Sequence, residues 1–209
     1  MATSTEKPGP GEVARHIARV AARLFAERGY DATSVREIVE AAGVAKPTLY
    51  YHFQSKEGLA KALIAVPLGD LLERLKQIVE TESDPVRCLE GVLEAHFAFC
   101  RDDPDRSRFL YALLFGPKAS GLGSNTECCK VDLKHWTEAA VRRCVEAGII
   151  PSGRVDACMT MCRGMIVIST VDFLYGDKPL GEDRARVLVA DLLRGFDARR
   201  ERDGRDSPL

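Results

Sequence analysis

Neither sign of charge predominates in this chain. Its 30 Lys and Arg stand against 31 Asp and Glu, for a formal net charge of -1. A bulk polycation is thereby excluded, and any contact with a polyanion must come from local clustering. Apolar runs are read as falling short of the roughly 18 residues that a membrane span needs. The first residues, MATSTEKPGPGE, lack the apolar block of a signal peptide, so a cytoplasmic protein with no membrane contact is expected. The cysteines number seven, and no Cys-x-x-Cys pair occurs among them. That odd count, without an export signal, points to reduced thiols rather than a disulfide framework or a structural zinc site. Strand-like alternation and internal repeats are missing. Also missing are paired carboxylates in a motif, a phosphate-cradling glycine loop and a recognisable triad, so the expectation is no enzyme, no cofactor and no metal.

What the chain does have is helical periodicity and helix punctuation. With 45% hydrophobic residues it can build one or two cores, and the expected fold class is all-α. Residues 1–11, rich in Pro, Gly, Ser and Thr, are expected to form a disordered tail. From Val13, the residues Ile17, Val20, Ala21, Leu24 and Phe25 share one helix face. Gly29 ends that helix, and Tyr30 folds back onto it. Ser34-x-x-Glu37 is a capping box that starts a second helix, stopped by Gly43. A third is expected over Lys46–Phe53, with Pro47 in its first turn and the poor N-cap Ala45 before it. Ser55 caps a fourth, long helix in which Pro67 predicts a kink or break between Ala65 and Gly69. Further helices are expected over Asp84–Cys100, from Asp103-Pro104 to Leu114, over Val131–Glu146, from a Ser152 cap to Leu174, and over Ala185–Phe196. Lys118–Thr126 is expected to be a mobile loop and the charged tail from Arg200 to fray. The domain reading is a helix-turn-helix unit over 12–58, a helical effector-binding and dimerisation unit over 59–200, and a charged tail over 201–209.

The third helix decides the functional reading. Leu49 and Phe53 point inward, and the remaining positions carry Lys46, Pro47, Thr48, Tyr50, Tyr51 and His52. That outer face is too polar for core and suits the major groove of duplex DNA. Lys46 can reach guanine acceptors or phosphate, while Pro47 and the Thr48 methyl can pack on a thymine methyl. Tyr50, Tyr51 and His52 can donate to phosphates. The start of the second helix, at Ser34 and Val35, offers backbone N–H groups to a phosphate, and Thr33 could add a hydroxyl. Arg36 can reach a base or a phosphate, and Lys56 a phosphate. The alternative from composition alone is a solvated helix that never meets DNA.

The residues Arg23-Leu24-Phe25, Gly29-Tyr30, Thr33-Ser34-Val35, Ile38, Ala41-Ala42-Gly43-Val44, Lys46–Phe53 and Lys56 resemble, in order and spacing over Val13–Leu63, the tetracycline-repressor (TetR) family of bacterial transcription regulators. Ala45 departs from the Ser often found there. The resemblance implies a base-reading set of Arg36, Lys46, Pro47, Thr48 and Tyr50, and a phosphate set of Thr33, Ser34, Tyr51, His52 and Lys56. It also implies a repressor acting on a double-stranded operator, a helical regulatory domain, a homodimer through the last two long helices, and a small-molecule pocket in each subunit.

The C-terminal part adds its own signals. The helix after Ser152 carries Met161, Cys162, Met165, Ile166, Ile168 and Val171 on more than one face, more apolar surface than one subunit needs. Candidate pocket residues are His96, Phe97, Cys100, Phe109, Leu113, Trp136, Cys158, Cys162 and Met165, with His135 as a further polar contact, and they favour a small apolar or aromatic effector. Cys158 and Cys162, one helical turn apart, leave open a thiol- or metal-responsive regulator of the same fold.

Overall fold

The structure, a computed structural model, describes residues 10–115 and 125–196. Among them every regular element is helical: α1 (Pro10–Arg28), α2 (Val35–Ala42), α3 (Lys46–Phe53), α4 (Lys56–Thr81), α5 (Pro85–Asp102), α6 (Pro104–Phe115), α7 (Asn125–Glu146), a short 3-10 turn (Ser152–Arg154), α8 (Val155–Tyr175) and α9 (Arg184–Phe196). The helices gather into two compact units, one of Met1–Leu68 with Asp103–Cys128, the other of Gly69–Asp102 with Cys129–Leu209. The division falls at Leu68 rather than at residue 58, and α6 belongs with the N-terminal helices.

In the first unit α1 packs against α2, α3 and α6. Its buried stripe is Ile17, Val20, Ala21, Leu24 and Phe25, as the period dictates. Gly29 ends the helix at φ 84°, in the left-handed region that a side chain disfavours. Tyr30 then lays its ring against Phe25, with centroids 5.3 Å apart. Phe109 of α6 completes the stack, 4.9 Å from Phe25 and 6.4 Å from Tyr30. Aromatic pairs at such spacings stabilise beyond the area they bury. Phe109 is therefore core of this unit, and Leu113 lies on the same helix. Both leave the list of residues gathered in the C-terminal unit, because the hydrophobic face of α6 closes over α1.

Helix α4 runs unbroken through Pro67 and gives Lys56–Leu68 to the first unit and Gly69–Thr81 to the second. Of the expected kink or break, the break is absent. Proline costs the helix one donor and a clash near the carbonyl of Leu63, and the other bonds of this 26-residue helix carry it past the defect.

In the second unit α5 is the central helix, burying Leu89, Val92, Leu93, Phe97 and Phe99 and packing on α8 and α9. Arg143 of α7 donates to the carbonyls of Val79 at 2.8 Å and Ser83 at 3.2 Å, satisfying the end of α4. Gly148, at φ 71°, ends α7 as its position suggests. Three expectations shift. Pro10 and Gly11 are helical, α7 begins at Asn125 rather than Val131, and Ser152 opens a 3-10 turn instead of capping α8 with its side chain. The loop expected at Lys118–Thr126 falls largely on 116–124, and the two tails on 1–9 and 197–209, which lie outside the described residues.

One absence read from the sequence is corrected. Ser152–Tyr175 is long and apolar enough to cross a bilayer, with a mean hydropathy of 1.4. Its interspersed Arg163 and Asp172 hid this from a search for an unbroken run. A helix apolar on all sides is also what a core or subunit contact needs.

Phe109→Ala is expected to cost about 3–5 kcal/mol, the usual range for deleting a buried aromatic. Thermal unfolding followed by circular dichroism measures it; a loss under about 1 kcal/mol would mean Phe109 only borders a ligand cavity.

Candidate nucleic-acid interface

The turn from α1 into α2 is built by local hydrogen bonds. Ser34, in extended backbone at φ -93° and ψ 157°, caps α2: its Oγ accepts the N–H of Glu37 at 3.2 Å. Glu37 returns the bond, its Oε2 accepting the N–H of Ser34 at 2.7 Å. These bonds from Ser34, with Arg28 beside it at 3.0 Å, hold the Glu37 carboxyl below the usual carboxylate range. The Ser34 N–H is thus committed, and the amides of Val35 and Arg36 are left to face an anion at the helix start. Thr33 is not part of that surface. It is 1% exposed, and its hydroxyl donates to the carbonyl of Gly29 at 2.8 Å, closing the end of α1. The phosphate role expected of its side chain is corrected, because an orphan helix carbonyl takes the proton first.

Gly43, at φ 63° and ψ 30°, ends α2 and turns the chain into α3. Its N–H and that of Val44 bond back to Glu40 and Val39, which satisfies the last carbonyls. Ala45 makes no side-chain cap, and Pro47 sits in the first turn of α3. Leu49 is the fully buried residue of α3. Around it Lys46 and Pro47 are exposed, Tyr50 is 41% and Tyr51 81% exposed, and Thr48, His52 and Phe53 are half-buried. Lys46 holds its ammonium 5.8 Å from the Tyr50 ring centre, and Tyr51 meets His52 edge-on at 5.0 Å. A cation, two phenols and an imidazole are therefore accessible around the part of α3 that Leu49 does not bury.

Two expected contacts are constrained. Arg36 is exposed but its Nε donates to Glu40 at 2.7 Å, a pairing legible from the i,i+4 spacing. Lys56 seats its ammonium 4.1 Å above the Tyr30 ring, so it stands on the Phe25–Tyr30–Phe109 stack. One feature escaped the sequence entirely. Gln54, just after α3, has φ 63° and ψ -36°, and the N–H of Ser55 bonds the Phe53 carbonyl at 2.7 Å around it. Such a three-residue turn is strained for a residue with a side chain. Ser55 then caps α4, its Oγ accepting from Gly58 at 2.9 Å. A Cβ on Gly58 would lie 2.1 Å from the Phe53 carbonyl oxygen, so glycine permits the close approach of the two helices.

In the second unit lie His96, Phe97 and Cys100 on α5, Trp136 on α7, and Cys158, Cys162 and Met165 on α8. Phe97, Cys100, Cys158 and Cys162 are buried; Trp136 and Met165 are half-buried, and His135 is exposed. His96 is half-buried, its Nε2 is enclosed without a partner among the described residues, and desolvation holds its pKa down to about 4. The Cys100 thiol and the Thr170 hydroxyl lie 3.7 Å apart. The Cys158 and Cys162 sulfurs are 4.0 Å apart. Their hydrogen bond pulls the Cys158 thiol down and pushes Cys162 up, and burial raises Cys144 to about 11. Among the described residues no three His, Cys, Asp or Glu side chains are grouped to hold a metal.

Ser34→Ala is expected to destabilise the first unit by about 1 kcal/mol. The lowered Glu37 carboxyl contributes stability present above its unfolded pKa and lost as pH falls through the lower folded one. Replacing the carboxyl itself, in Glu37→Gln, should therefore make the melting temperature fall less steeply on the acid side. An unchanged acid slope would remove the capping box from the account.

Residues 17–63 match the family described as bacterial regulatory proteins, tetR family. The Mycobacterium tuberculosis transcriptional repressor KstR2 is 40% identical over 81 residues, covering 39% of this chain and 40% of KstR2. The chain thus matches less than half the length of that curated relative. The TetR family regulator PfmR from Thermus thermophilus superposes with a TM-score of 0.72 at 27% identity, over 85% of this chain and 97% of PfmR. The regulator FadR from Bacillus subtilis, solved with stearoyl-CoA, superposes with a TM-score of 0.68 at 21% identity, over 87% of this chain and 98% of FadR. Residues 17–63 thus carry the N-terminal domain of the tetR family, within an all-helical fold that the described residues share with PfmR.

Proposed function

We propose that this regulator is a repressor that binds a near-palindromic duplex operator as a homodimer and is released by a small, largely apolar effector. The observation that carries the reading is the outward face of α3. Lys46, Pro47, Tyr50 and Tyr51 project from a helix anchored by Leu49, and the N-terminal residues of such a helix meet base edges in the major groove. Lys46, Pro47, Thr48, Tyr50 and Arg36 read bases. Tyr51, His52, Lys56 and the α2 amides of Val35 and Arg36, positioned by the Ser34 cap, hold phosphates.

Dimerisation is supported by α8. Met161, Ile168 and Tyr175 recur at i, i+7 and i+14, and Ile168 is 60% exposed. Val187 of α9 is also exposed. A two-fold contact between copies of these helices covers that surface. Two reading helices then meet half-sites about 34–36 Å apart. An apolar effector is supported by the apolar side chains buried in the second unit, Phe97, Cys158 and Cys162 among them. The stearoyl-CoA held by FadR is consistent with that class. Helix α4 carries Lys56 at its start and ends in the second unit, so an effector that prefers one placement of α4 shifts the operator-competent population. It can do so only by its differential affinity for the two states.

Selection from random duplexes, followed by fluorescence anisotropy, tests the reading. A palindromic consensus is expected, with affinity that falls steeply with salt. Lys46→Ala should weaken the selected site by about 1–3 kcal/mol and relax preference at one position, while Lys56→Ala weakens all duplexes alike. Ile168→Glu should sediment as a monomer and lose at least about tenfold in operator affinity (about 1.4 kcal/mol). Selection that enriches no sequence would refute the repressor reading, and a dimer that persists in Ile168→Glu would move the subunit contact off α8.

A further inference from the structure

A groove of about 700 Å³ opens within the first unit, lined from the start of α1, the end of α3, the middle of α4 and the segment entering α6. The volume is within the range of about 300–1,000 Å³ that holds small organic ligands. Its floor is apolar: Ala14, Ala18, Phe53, Leu63, Val66 and Pro67. Val66 is 64% exposed there and adds apolar surface to that floor. The rim is charged. Arg15 and Arg19 stand one turn apart on α1, both exposed. Arg15 uses only its Nε, donating to the carbonyl of Gly11 at 3.2 Å, and Arg19 has no ion pair among the described residues. Of the two acids at the rim, Asp103 accepts the backbone N–H of Arg106 at 2.9 Å, capping α6, and the other is Glu12.

We propose that this groove binds an amphipathic anion, with its apolar chain along Phe53, Leu63 and Val66 and its carboxylate or phosphate headgroup on Arg15 and Arg19. Two guanidinium forks one turn apart suit either headgroup, because each can give paired N–H bonds to two oxygens. The apolar floor supplies the chain with burial that a free anion in water lacks. Charge sets the occupant: a neutral chain leaves both arginines unanswered, and a cation meets them directly. Phe53 is the last residue of α3, and Val66 and Pro67 are on α4, so a chain seated here holds α1 against both helices. The site goes beyond the repressor reading and stands without it.

The test uses the full chain and three probes of equal chain length below their micelle-forming concentrations: sodium decanoate, decyl phosphate and decanol. Binding is followed by ¹H–¹⁵N correlation spectra. Decanoate or decyl phosphate should shift the amides of Ala14–Arg19 and Ala62–Val66, with decanol at least tenfold weaker. The stronger anion identifies the headgroup. Arg15→Glu with Arg19→Glu should weaken anion binding at least tenfold while melting at the wild-type temperature, since both side chains are exposed. Val66→Asp should weaken it through the chain rather than the headgroup. Equal binding of all three probes, an affinity unmoved by the arginine reversals, or shifts confined to α5, α7 and α8 would overturn the proposal. So would protein-concentration-dependent shifts at these same amides with no probe present, which would make the groove a contact between copies. Operator affinity is measured on the wild-type protein with no probe present: absence of duplex binding there refutes the repressor reading and leaves the groove result intact.

Discussion

Leu49 is the side chain on which the proposed reading surface depends. Helix α3 has eight residues, too few to hold a helix in water alone. It lacks a side-chain cap, and its neighbours are polar or half-exposed. Burial of Leu49, contributing about 2 kcal/mol for a side chain of this kind, fixes one face. The two ends are fixed by backbone: the left-handed Gly43 before it and the tight turn at Gln54 after it. The outward residues are free to meet a ligand because none of them is needed to hold the helix in place.

The frame that receives Leu49 is noncontiguous in sequence. Ile17, Phe25, Ile38 and Leu59 are fully buried within the first unit, and α6 returns from beyond α5 to add Phe109. The stack of Phe25, Tyr30 and Phe109 also carries the Lys56 ammonium. A cation over an aromatic face is attracted by the ring quadrupole and keeps its charge. Local placement of this sort lets a chain of net charge -1 present cations at one face.

The second unit is organised on another principle. Helix α5 is buried along most of its circumference, whereas α8 is largely apolar, interrupted by Asp156, Arg163 and Asp172, and only partly covered. Composition alone gives α8 the profile of a membrane span, yet buried Ser169 and Thr170 face the core, and Thr170 has the thiol of Cys100 for company. Buried thiols in this unit are held mostly in the neutral form by desolvation, which limits their nucleophilicity. The i,i+4 pair of Cys158 and Cys162 sits where Cβ atoms are about 5–6 Å apart, wider than a disulfide spans without bending the helix.

Helices, their stops and the capping box were legible in the sequence because each depends on residues within a turn or two. Ser34 and Glu37, Gly29, Gly43 and Gly148, and the stripe from Ile17 to Phe25 are cases where local chemistry and backbone geometry coincide. So was the outward set on α3, because a helix with few apolar positions cannot bury more than one edge. Tertiary contacts decided the rest. Thr33 reads as a free hydroxyl until the end of α1 offers it a carbonyl, and Phe109 reads as pocket lining until α6 closes on α1. Pro67 reads as a kink or a break, and against a break the helix bonds on either side of it outweigh one lost donor. The strained Gln54 turn and the groove beneath Arg15 and Arg19 have no periodic signature at all. Local sequence sets which segments are helices; which groups are left for water or a ligand depends on partners far along the chain, and only packing brings those partners together.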